Sequence, residues 1–118
     1  MCAHRDMHLE SEAAKILLNY GFPVELRGYE YMRCAVALTY QSPELAEYVT
    51  KSLFPKVARL CPNASASSVA RGCRHAIEYA FDHGYLNELL STDRADAYPS
   101  SALVIASLAK CMRSDYSL

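Results

Sequence analysis

From Phe54 to Gly84 the chain reads FPKVARLCPNASASSVARGCRHAIEYAFDHG, and the fold turns on how this stretch divides. Lys56 to Cys61 is long enough for a short helix with Val57 and Leu60 facing inward, and Pro62 stops it by removing a backbone donor. Asn63, Ser65 and Ser67 are turn and cap residues, and Ser65 is the expected N-cap of a longer helix running to about His83. Gly84 closes that helix in the C′ position. Within it Val69, Cys73, Ala76, Ile77 and Ala80 recur at helical spacing and form an apolar stripe. The opposite side carries Ser67, Ser68, Arg71, Arg74, His75, Glu78 and Asp82. The unit spans about residues 55–84 as short helix, polar turn and long helix, the framing of a helix-turn-helix.

Working outward toward the N-terminus, Leu9, Ala13, Ile16, Leu17 and Tyr20 predict a first helix over 9–20, with Ser11 and Glu12 near its start and Gly21 at its end. The short tail before it should fray. Pro23 cannot continue the helix, so residues 22–26 read as an extended connector. Tyr29, Met32, Val36 and Tyr40 then predict an amphipathic helix over 28–41. Ser42, Pro43 and Glu44 look like an N-cap, a first-position proline and a first-turn carboxylate, so a third helix is expected with Leu45, Tyr48, Val49 and Leu53 buried. Tyr29, Tyr40 and Tyr48 read as core tyrosines rather than an exposed stacking platform. Beyond Gly84, Leu86, Leu89 and Leu90 make a short apolar segment and residues 91–97 a polar loop. Pro99, Ser100 and Ser101 open a last helix that turns Val104, Ile105, Leu108 and Met112 inward. The expected architecture is all-α: a single six- to seven-helix domain over residues 1–118.

Composition narrows the chemistry. At 118 residues, 52% hydrophobic and 21% charged, the chain can bury a core without disulfides or a structural metal. No long apolar run or signal peptide is present, which points to the cytoplasm and to no membrane partner. The five cysteines, Cys2, Cys34, Cys61, Cys73 and Cys111, contain no Cys-x-x-Cys pair and read as reduced thiols rather than disulfides or zinc ligands. His4, Asp6 and His8 have ligand-like spacing but lie in the tail, and His83 reads as a partner of a helix C-terminus. No nucleophile elbow and no glycine-rich phosphate loop occur, so no enzyme, cofactor, metal or catalytic residue is expected.

Charge distribution is more informative than the net charge of −1. Five of the 12 lysines and arginines, and none of the 13 acidic residues, fall between Tyr48 and Ile77. Along the long helix the cations occupy the first two turns and the carboxylates the last two. The helix macrodipole favours the reverse order by about 0.3–1 kcal/mol per charge, so helix stability alone does not explain the arrangement. It fits a helix whose N-terminal end faces phosphates and base edges, as the second helix of a helix-turn-helix does. Arg71 and Arg74 could present forks to guanine edges, and His75 could reach a base or phosphate from the same face. Ser67 and Ser68 stand at the helix start, while Lys51, Lys56 and Arg59 suit phosphates beside the groove. Double-stranded DNA is the expected partner.

Two segments carry a family resemblance: GYEYMRCAVALTY at 28–40 and ELAEYVTKSLFPKVARLCPNASASSVARGCRHAIEYAFDHGYL at 44–86. Together they resemble the C-terminal DNA-binding effector domain of the bacterial sporulation-initiation response regulator, the master regulator of endospore formation. The resemblance covers roughly residues 9–113. Its most specific part is Arg-His-Ala-Ile-Glu at 74–78, at the family's distance from Tyr29-x-Tyr31 and from Phe54-Pro55-x-x-Ala58. It implies a six-helix-type domain that binds promoter DNA, often as tandem copies, with Arg71, Arg74 and His75 on positions facing the duplex. The family has arginine where this chain has Ser68 and glutamate where it has Ala70, which implies altered or relaxed specificity. Residues 91–97 are more polar than the family's segment near this place, in a region associated with the RNA polymerase sigma subunit, which argues against activation by the family route. The family also places a receiver domain ahead of this one, so the chain is either a stand-alone relative or a fragment. A protein-interaction module of the same fold, modulating a partner regulator without binding promoter DNA, is the alternative.

Overall fold

The computed structural model describes residues 6–90 and 98–116, the side chains only as far as Met112. Six α-helices follow one another: α1 (Met7–Asn19), α2 (Arg27–Gln41), α3 (Phe54–Leu60), α4 (Ala66–Asp82), the single turn α5 (Asn87–Leu90) and α6 (Ser101–Tyr116). A 3-10 turn (Pro43–Glu47) and a wide π-type turn (Val49–Leu53) connect α2 to α3. Among the described residues there is no strand, and the expected all-α architecture is observed.

The helix α2 is the axis of the molecule, and α1, α3, α4 and α6 all pack against it. Its sequence predicted one buried face. Instead Tyr29, Tyr31, Met32, Cys34 and every residue from Ala35 to Thr39 are buried, because the small side chains of Cys34, Ala35 and Ala37 let neighbours close in from several sides. Tyr40, expected inside, is half-buried at the helix end.

Where α2 crosses α4, Gly28 sits against the backbone of Gly72. A methyl group at Gly28 would run into the Gly72 carbonyl, and one at Gly72 would lie 2.8 Å from the Tyr31 ring. The crossing therefore depends on both positions lacking a side chain. Beside it Arg27 donates from Nε to the Tyr31 hydroxyl (3.0 Å) and from Nη2 to the Pro62 carbonyl (3.2 Å). The start of α2 is thus fastened to the turn between α3 and α4.

Near the middle of α2, Arg33 pairs with the buried carboxylate of Glu10 on α1 at 3.3 Å. Asp6 caps α1, its carboxylate accepting from the Leu9 amide at 3.0 Å. Residues 22–26 form a turn rather than an extended connector, closed by the Leu26 amide on the Pro23 carbonyl (3.3 Å).

The predicted third helix is broken. Ser42 makes no side-chain cap, and the segment is divided at Tyr48 into the 3-10 and π-type turns. Leu53 is fully buried while Tyr48, expected inside, is 58% exposed. In this winding Leu53 is turned into the core, and Tyr48, at the junction of the two turns, faces solvent. Cys34, Cys61 and Cys73 are buried and Cys111 is half-buried; Cys2 and His4 lie outside the described residues, as does the polar loop at 91–97. None of the described helices is long and apolar enough to cross a membrane.

Candidate nucleic-acid interface

The site is built on α4, whose boundaries are written in the sequence. Ser65 is the N-cap, in an extended conformation, and its hydroxyl accepts from the Ser68 amide at 3.1 Å. Ser68 answers it: its hydroxyl accepts from the Ser65 amide (2.9 Å) and donates to the Ser65 carbonyl (2.9 Å). This reciprocal capping box uses serine where glutamate or glutamine is usual, so its signature is weak in the sequence. At the far end His83 is the C-cap and Gly84 takes the left-handed conformation (φ +77°). The predicted stripe of Val69, Cys73, Ala76, Ile77 and Ala80 is fully buried, joined by Phe81. Burial, with Cys61 nearby, pushes the Cys73 thiol up to about 12, so it stays protonated and unreactive at neutral pH.

With about 100° between successive residues, burying that stripe leaves the opposite side facing solvent. Ser67, Arg71, Arg74 and His75 are exposed there, and Ser68 and Glu78 are half-buried. Arg71 lies nearly opposite the stripe, with Arg74 to one side and His75 to the other. Neither the first turn of α4 carries an acid nor the last turn a base. Arg59 and Lys56, three residues apart, lie on the outer side of α3, and Lys51 is exposed on the π-type turn. Among the described residues no ion pair holds Arg71, Arg74, Lys51, Lys56 or Arg59. The structure therefore places all eight candidate residues on the helix-turn-helix and the turn leading into it.

On its Arg74 side, α4 borders a cleft of about 390 Å³. Val49, Phe54 and Ala70 supply apolar wall, while Arg74, Glu78 and Tyr98 face the same space. Tyr98 was not singled out from the sequence, and it fixes the far end of the helix. Its hydroxyl meets both carboxylate oxygens of Asp82 (2.9 and 3.0 Å), and its ring stands edge-on to Phe81 with centroids 5.4 Å apart. The hydrogen bond to Asp82, reinforced by the charges of Asp82 and Glu78, holds the phenol above its ordinary value of 10. His83 is pinned as well: Nδ1 donates to the Tyr79 carbonyl at 2.8 Å, and the ring stacks between Tyr79 and Tyr85 at 4.3 and 5.4 Å. That bond supports its reading as a helix C-terminus partner.

A short helix, a five-residue turn and a capped second helix with an exposed cationic N-terminal half define the helix-turn-helix class of nucleic-acid-binding domain. The family model described as "Sporulation initiation factor Spo0A C terminal" matches residues 13–111. The chain belongs to this family of DNA-binding regulator domains, and the match spans α4 entirely.

Proposed function

We propose that this chain is a sequence-specific DNA-binding transcription regulator that lays α4 in the major groove. Arg71, Arg74 and His75 read base edges, Ser67 stands at the helix start with Ser68 serving as its cap, and Lys51, Lys56 and Arg59 meet phosphates beside the groove. The observation that carries this reading is the outer face of α4: Arg71, Arg74 and His75 stand exposed together, the two arginines without ion pairs among the described residues, while Asp82 at the acidic end is tied back to Tyr98. A cytoplasmic protein acting at the nucleoid fits this role, and adjacent sites on DNA could seat a second copy in tandem. A contact with the RNA polymerase sigma subunit has less support, given the polar 91–97 segment.

Selection of bound sequences from a random duplex pool tests the proposal. The expected result is an enriched motif containing guanine, bound with an affinity that falls steeply between low and moderate salt. Recovery of no duplex even at low salt would overturn it. The same outcome would favour the protein-interaction module, for which the short first-turn side chains of α4 speak; co-purification of a full-length regulator would then identify its partner.

A further inference from the structure

The capping box decides more than where α4 begins. A serine hydroxyl has one proton to donate, and that of Ser68 is spent on the Ser65 carbonyl while its oxygen also takes the Ser65 amide. Ser65 in turn is occupied by the Ser68 amide. Turning either side chain toward a ligand would leave orphan amides at the helix end, at a cost of about 1 kcal/mol. Val69 is buried in the core. The donors that the first five residues of α4 offer a partner are therefore reduced to the single hydroxyl of Ser67, beside the half-buried methyl groups of Ala66 and Ala70. The first long side chain is Arg71.

The methyl surface does not stop at the helix. Ala70 shares the cleft with half-buried Val49, above the buried Phe54 ring, and Arg74 lines the same space from one turn further along, with Glu78 and Tyr98 beyond it. A small apolar patch beside an arginine fork matches one feature of the major groove. The C5-methyl of thymine is the apolar group exposed there, and guanine offers the N7 and O6 acceptors that an arginine fork takes. Short side chains also allow the helix end to come close enough for methyl contact.

We propose that the N-terminal part of α4 selects thymine through methyl contact at Ala70 and its cleft neighbours, next to a guanine read by Arg74. Ser68 is a structural cap with no part in base discrimination. This rests on the DNA-reading proposal above and names the base class that the same surface takes.

The test replaces each thymine of the best selected duplex in turn with uracil, which removes only the methyl group. Affinity should fall about fourfold at one or two thymines beside the essential guanine, the equivalent of one buried methyl group, and stay level elsewhere. In Ala70→Ser the uracil penalty should shrink toward onefold at those positions. Ser68→Ala should lower thermal stability while leaving the base preferences of the selected motif unchanged. A duplex bound tightly, with guanine dependence on Arg74 but no uracil penalty anywhere, overturns the methyl inference alone. A changed motif in Ser68→Ala overturns the structural assignment of that serine. Failure to bind any duplex overturns the underlying reading, and the inference with it.

Discussion

The two halves of α4 treat their polar groups in opposite ways. Beyond Tyr79 almost everything is secured: Asp82 accepts from Tyr98, His83 binds the Tyr79 carbonyl and stacks between two tyrosines, and Phe81 packs into the core. Before it, Arg71, Arg74 and His75 stand in solvent, and the secured polar groups are the two serines that form the cap. A protein that wanted only a stable helix would pair those cations. Left in water they cost little, because exposed ion pairs contribute about 1 kcal/mol at most, and they keep their hydrogen-bonding capacity for a partner. One end of the helix is a fixture and the other is a tool.

The largest break in this contrast comes from the exposed half. Arg74→Ala should weaken binding to the selected duplex by about 1–3 kcal/mol and relax preference at one base pair, while shifting the unfolding free energy by less than about 0.5 kcal/mol. Fluorescence anisotropy and chemical denaturation on the same samples separate the two. Asp82→Asn at the secured end should leave the motif unchanged.

Gly72 lies within the exposed half, between Arg71 and Arg74, on the crossing with α2. Gly72→Ala should destabilise the fold by about 1–3 kcal/mol, since the added methyl group meets the Tyr31 ring, and thermal denaturation reads it directly. Ser65→Ala is the milder structural lesion. Loss of the cap should cost about 1 kcal/mol, and helicity should fray from the cationic end, visible as faster amide exchange there.

The smallest effect sharpens the secured half. Tyr98 titrates above its ordinary value of 10 in the folded protein, because Asp82 holds its proton. Its contribution to stability is therefore fully present below pH 10 and is lost as the pH rises through the folded value. A phenolate absorbance titration of the wild type minus Tyr98→Phe should show this tyrosine ionising late, and Asp82→Asn should bring it back toward 10.

The α4 helix was legible because each of its signals is local. A serine cap, a stripe at helical spacing and a closing glycine lie within twenty residues, and the buried set agrees with the stripe. The segment from Ser42 to Leu53 misled for the converse reason: Leu45, Tyr48, Val49 and Leu53 fit a straight helical face, but the winding changes at Tyr48 and Leu53 alone of the four is buried. Contacts between distant positions left no trace in the pattern. Nothing near Gly28 announces Gly72, and Arg27 looked like any surface cation until its bond to Pro62 placed it against the turn. The duty of Ser68 was hidden as well, since a serine at the helix start reads equally as a cap or as a contact.

The π-type turn has a consequence for how Lys51 is carried. The Tyr48 carbonyl accepts from both the Ser52 amide (2.8 Å) and the Leu53 amide (3.2 Å), so a tight and a wide winding share one acceptor. Lys51 is thus carried on a segment of mixed winding, whereas Arg59 and Arg71 sit on regular α-helices.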